Sequence, residues 1–168
     1  CTSVVGGAVE GGSVTGGSVV GGSVFGGFDV GGSVVDEPGG LVVDLPGGKV
    51  RLGSRSVRDL MTHLERTLDE DKVDLFDEWL LSQKTRDHLA SEGKTPEDLF
   101  RVLQNSRKGI AKKFGRMPFG DRTPTCLFEK TGPRMFVLRL TGQSARDVPY
   151  TRLWVAYEGG ESRFVWLS

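Results

Sequence analysis

The sequence predicts an α+β fold, with three helices followed by a four-stranded antiparallel sheet. Three observations carry this. Between Ser54 and Phe114, apolar residues recur at three- and four-residue spacing. After Pro118 the period changes to two. Before Ser54 the chain is glycine-rich and holds no apolar pattern of helix length. The 168 residues therefore divide into an extended arm, residues 1–53, and a folded domain, residues 54–168. The domain is long enough to bury one hydrophobic core.

The arm carries a five-residue repeat. Glycine pairs fall at Gly6-Gly7, Gly11-Gly12, Gly16-Gly17, Gly21-Gly22, Gly26-Gly27 and Gly31-Gly32. The unit is Gly-Gly-Ser-Val-x, with Val9, Val14, Val19, Val24 and Val34 in the fourth place, and Asp29 breaking the column between Phe28 and Val30. Glycine costs about 1 kcal/mol relative to alanine in a helix, so a helix is excluded. An odd period places successive valines on opposite faces of a strand, which does not suit a single flat strand. Pentapeptide solenoids share the period but need more stacked coils than six units supply. A glycine- and serine-rich coil of about 50 residues would reach on the order of 40 Å. A plain spacer needs no apolar residue at every fifth place. Val9, Val14, Val19, Val24, Phe25, Phe28 and Val34 are therefore expected to bind a partner, with the extended backbone lying along its surface. At the end of the arm, Leu41–Leu45 and Lys49–Leu52 read as two short strands around Pro46-Gly47-Gly48.

The first helix follows Ser54 or Ser56 as cap, with Val57, Leu60, Met61, Leu64 and Leu68 on its buried stripe. The second is expected from Val73 to Leu89, with Leu75, Phe76, Trp79 and Leu80 facing the core and Gly93 ending it. The third has the clearest start: Thr95 as cap, Pro96 in the first turn and Asp98 three after the cap. Leu99, Val102, Leu103, Ile110 and Phe114 line its inner side. Thr125–Lys130, Met135–Thr141, Thr151–Tyr157 and Arg163–Leu167 read as strands, and Gly132-Pro133 and Gly159-Gly160 as hairpin turns.

Helices followed by a strand meander, closed by Glu158-Gly159-Gly160-Glu161-Ser162-Arg163-Phe164-Val165-Trp166, resemble the NTF2-like, or cystatin-like, superfamily. The resemblance covers residues 54–168 and implies a curved sheet wrapped as a cone around a long helix. Such folds host both enzymes and non-catalytic modules.

A second resemblance concerns Cys1-Thr2-Ser3 and the glycine-rich run behind it. It is similar to the mature end of a bacterial lipoprotein. The resemblance implies acyl chains on Cys1, contact with a lipid membrane through them, and a place in the bacterial cell envelope facing the periplasm or exterior. Each buried methylene contributes about 0.8 kcal/mol, so two or three chains on one residue make a stable anchor.

The chemistry-bearing residues are sparse. Formal net charge is zero. In the arm, Lys49 and Arg51 face Glu10, Asp29, Asp36, Glu37 and Asp44, which leaves the domain mildly basic. This is not the footprint of a nucleic-acid binder. His63 and His88 are far apart, and Cys126 in its apolar run reads as a small buried hydrophobe, so metal-ligand spacing is missing. NTF2-like enzymes often place an Asp–His or Asp–Tyr arrangement in the cone. Here Asp74, Asp77, His63 and Tyr150 are the residues available, and nothing in their spacing joins them. Arg107, Lys108, Lys112, Lys113 and Arg116 read as a solvated basic end of the third helix, suited to the helix dipole, with contact to anionic lipid or an acidic partner as the alternative. The expectation is a non-catalytic accessory subunit of a larger membrane-bound protein complex, lipid-anchored, without cofactor or metal, its arm docked along partner subunits. The alternative is a free-standing envelope lipoprotein that binds a small ligand or polypeptide in the cone.

Overall fold

A computed structural model describes residues 34–37 and 40–168 of the chain, with side chains described from residue 42 onward. Two antiparallel sheets and a set of helices are present. The first sheet holds β1 (Val34–Glu37), β2 (Gly40–Leu45) and β3 (Lys49–Gly53) in that order. The β2–β3 turn uses Gly47 and Gly48, both at positive φ, a backbone region that only glycine enters at low cost. The helices are α1 (Val57–Asp69), α2 (Val73–Leu75), which runs on as a π-turn over Phe76–Leu80, α3 (Gln83–Ser91), α4 (Pro96–Asn105) and α5 (Arg107–Gly115). The second sheet is a sequential meander of β4 (Cys126–Gly132), β5 (Met135–Leu140), β6 (Arg152–Glu158) and β7 (Glu161–Leu167). Helices first and a four-stranded antiparallel sheet after them is the expected order. The expected two strands around Pro46 are found, joined by β1.

Of the two expected caps for the first helix, Ser56 takes the place and forms a full capping box, and the box expected at Thr95 forms as well. Ser56 accepts from the Asp59 amide at 3.1 Å, and Asp59 accepts from the Ser56 amide at 2.9 Å. Thr95 and Asp98 repeat the pattern at the start of α4. One face of α1, from Val57 to Leu68, packs into a core with Phe76, Leu80, Phe100, Ile110 and Met117. The inner face of the sheet closes it through Leu138, Leu140, Leu153, Val155, Phe164 and Leu167. A bulge between Trp154 and Val155 pairs Val155 with Phe164 and Leu153 with Leu167. Val165 is the extra residue, so Phe164 and Leu167 share the inner face although they are three apart.

The helical region differs from expectation in two places. The second helix breaks at Leu81, which is extended and bridges to Phe164. The Ser82 amide donates to the Phe164 carbonyl at 2.9 Å, and the Thr85 hydroxyl donates to the Val165 carbonyl at 3.0 Å. Ser82 then caps α3 through the Thr85 amide. The break thus feeds hydrogen bonds to the outer edge of β7, which would otherwise stand unpaired there. The third helix breaks at Ser106, whose hydroxyl receives the Tyr150 hydroxyl at 2.7 Å. Pro149 lies against Gly109 so closely that a Cβ on Gly109 would sit 2.6 Å from its ring.

The β2–β3 hairpin is tied to the domain. Leu52 is buried in the main core, and Val42 and Val50 pack against it. Arg51 reaches Glu161 at 3.0 Å and lies 5.4 Å from the centre of the Trp79 ring. The Ser162 amide donates to the Ser54 carbonyl at 2.7 Å.

Candidate interaction surface on the strand sheet

In a strand, successive side chains point to opposite faces. Since Leu138, Leu140, Leu153 and Val155 point into the core, Val137, Arg139, Arg152 and Trp154 point outward, and the bulge at Val165 turns Trp166 to the same outer face, opposite Trp154. The register sets them side by side. Val137 pairs with Trp154, Trp154 with Trp166, and Arg139 with both Leu127 and Arg152. Trp166 is 46 % exposed and Leu127 45 %, although both are large and apolar. Val137 is buried, yet it lies outside the main core. Near the start of α3 this outer face is bridged: the Gln83 amide donates to Glu158 at 3.0 Å, and the Lys84 ammonium approaches the Met135 sulfur at 3.1 Å. The half that carries Leu127, Trp154 and Trp166 keeps its exposure. Arg152 stands exposed beside it, and Arg139 is held by Glu129 at 3.0 Å.

The interior holds several polar groups. His63 is 2 % exposed on the buried side of α1, and neither ring nitrogen meets a hydrogen-bond partner among the described residues. Burial holds its pKa below the ordinary histidine value, opposed in part by the Gly53 backbone and Asp59. The hydroxyls of Ser54 and Ser162 are also buried without a partner. Lys113 is 0 % exposed, and its ammonium has no hydrogen-bond partner among the described residues. Burial lowers its pKa to about 7, against a smaller opposing effect of the nearby Cys126. The expected basic run on the third helix is therefore not one solvated face: Arg107, Lys108, Lys112 and Arg116 are exposed, while Lys113 turns inward. Its i, i+3 offset from Ile110 and its neighbour Phe114 were the available signal.

The residues considered for cone chemistry are separately engaged. Asp77 pairs with Arg86 at 2.9 Å, Asp74 is exposed, Tyr150 donates to Ser106, and His63 is enclosed behind α1. His88, in the last turn of α3, lies 3.3 Å from Glu92. Cys126 is buried, as its apolar run suggested. Among the described residues there is no cluster of three or more metal-ligating side chains, and no helix is long and apolar enough to cross a membrane. Of the expected partner-binding residues, Val34 begins β1, opposite Val43. Cys1, Val9, Val14, Val19, Val24, Phe25 and Phe28 lie outside the described residues.

No family model, curated protein or solved structure matches this chain.

Proposed function

We propose that this chain is a non-catalytic subunit of a larger protein assembly at a bacterial membrane. In this reading the outer face of the β4–β7 sheet docks on a partner subunit. Cys1 carries the lipid anchor, and the valine repeat lies along the same assembly. The domain is then an NTF2-like module used for its surface. The observation that carries the proposal is the half-exposed Trp166 beside Trp154, with Leu127, also half-exposed, on the same face across Arg139 and Arg152. Interfaces favour this composition, with aromatic residues and arginine enriched at the contact. A partner with an apolar patch and a carboxylate would complement it. The alternative, a ligand held in a cone, is less well supported, because the inner sheet face is filled by Phe76, Phe100, Phe164 and Met117.

The test is affinity copurification from membranes solubilised in mild detergent, with Leu127→Ser/Trp166→Ser set beside Val14→Ser/Val19→Ser/Val24→Ser. Both sites are exposed or in the arm, so the melting temperature should change little. Loss of the same associated proteins from both variants is expected. Undiminished recovery with both would overturn the docked-subunit reading.

A further inference from the structure

We propose that the cleft between the first turn of α1 and the turn at Phe119–Arg122 binds a phosphomonoester carried on a flat ring. The cleft encloses about 460 Å³ and is lined by Arg55, Ser56, Arg58, Asp59, Phe119, Asp121, Arg122 and Tyr157. Arg55, Arg58 and Arg122 approach it from two separate segments, and none has a carboxylate partner among the described residues. All three are exposed, and the guanidinium fork of each matches phosphate oxygens. Asp59 accepts from the Ser56 amide and makes no ion pair with them among the described residues. The arginines outnumber the two carboxylates of the lining, which leaves room for an incoming anion.

The apolar part of the lining is specific as well. Phe119 is 58 % exposed at the mouth of the cleft. Tyr157 forms another part of the wall and ends an aromatic series. Phe128 stacks on Phe136 at 4.8 Å with planes 9° apart, and Phe136 meets Tyr157 edge-on at 5.3 Å. A ring entering beside Phe119 and Tyr157 finds aromatic surface, while its phosphate meets guanidinium groups.

The walls are fixed before any ligand arrives. Gly120 has φ +58°, and a Cβ there would lie 2.9 Å from the Arg58 backbone nitrogen, so the turn is pressed directly on α1. The Gly120 amide donates to the Met117 carbonyl at 2.9 Å, and the Phe119 amide to the Thr123 hydroxyl at 3.2 Å. A preformed cleft spares the ordering cost that weakens binding to mobile loops. This cleft borders the inner side of the sheet and shares no residue with the outer face that carries the docking proposal.

Calorimetric titration of the full chain tests the assignment, with phenyl phosphate, inorganic phosphate and phenol as probes. Saturable binding of phenyl phosphate is expected, with inorganic phosphate weaker and phenol weaker still. Arg58→Gln/Arg122→Gln should weaken phenyl phosphate by at least about tenfold, the loss of one to two charge-assisted hydrogen bonds. Phe119→Ala should bring phenyl phosphate down to the affinity of inorganic phosphate. Thermal melting verifies that each variant is folded, and Arg122→Gln alone, away from the α1 cap, replaces the double variant if that one melts early. No saturation by phenyl phosphate, or binding unchanged in the arginine variant, would overturn the site. Equal affinity for phenyl phosphate and inorganic phosphate would overturn its ring specificity.

Discussion

Lys113 is the residue most at odds with its surroundings. A lysine buried without a partner stays charged only at a cost, and burial has lowered its pKa to about 7. In the unfolded chain the same group titrates near its ordinary 10.5. Between these values the unfolded state binds more protons than the folded one, so stability rises with pH from about 7 towards 10.5. Below about 7 the group is charged in both states, and the fold carries the full cost. Lys113→Met should therefore raise stability at neutral pH, by about 1–4 kcal/mol by analogy with replaced buried charges. It should also flatten the rise between pH 7 and 10, measured as wild-type minus variant melting temperature. A variant less stable than wild type at pH 7 would mean that the ammonium has a partner outside the described residues. Nothing in the run Arg107 to Arg116 marks Lys113 as different in charge. Only its helical offset from Ile110 does, and a basic neighbourhood masks that signal.

Among the elements, α5 gives a contrast within nine residues. Alanine is favoured over glycine in a helix by about 1 kcal/mol. At Gly115 nothing lies within 4 Å of an added Cβ, so Gly115→Ala should stabilise by up to that amount. At Gly109 the Cβ would lie 2.6 Å from the stiff ring of Pro149, and the sign should reverse, to a net loss of about 1–2 kcal/mol. Urea unfolding of both variants decides it; two stabilised proteins would place Pro149 elsewhere. The reach of each contact along the chain explains which boundaries were legible in the sequence. Starts of α1 and α4 were readable because Ser56, Asp59, Thr95 and Asp98 make their bonds within three residues. Breaks at Leu81 and Ser106 were not, because their partners are Phe164, Val165 and Tyr150, far along the chain. A run such as Leu80-Leu81-Ser82 reads equally well as continuous helix until a strand edge is placed beside it. The outer sheet patch was not legible: period two would put Trp166 on the same face as Phe164, and only the bulge at Val165 turns it outward, beside Trp154. The cleft at Arg58 was not legible, since its arginines come from segments more than 60 positions apart, Arg58 and Arg122.

For the whole molecule, the hairpin of β2 and β3 decides how the arm meets the domain. Leu52 lies in the core, Arg51 bonds Glu161, and Arg51 sits over Trp79. Leu52→Ala should cost about 2–5 kcal/mol, as for other buried leucines. Arg51→Ala removes a half-exposed guanidinium from Glu161, which keeps Arg163 as partner, and should cost under about 1 kcal/mol. A fragment of residues 54–168 should accordingly melt well below one of residues 40–168. Equal melting of the two fragments would show that the hairpin adds nothing to the domain. Any pull on the arm is thus passed to the core through Leu52.

The bonds that guard the outer edge of β7 also set a timetable. Thr85 and Val165 are 80 positions apart, and Arg51 and Glu161 are 110 apart. On the ribosome, the hairpin and the helices emerge first, and for that interval Leu81 and Ser82 have no strand to meet. Their stretch is then free to continue as the unbroken helix that its sequence favours locally. The contacts that fix the break at Leu81 and Ser82 come from β7. Closing this edge therefore rests on long-range contacts, made to a strand synthesised after the helices it completes.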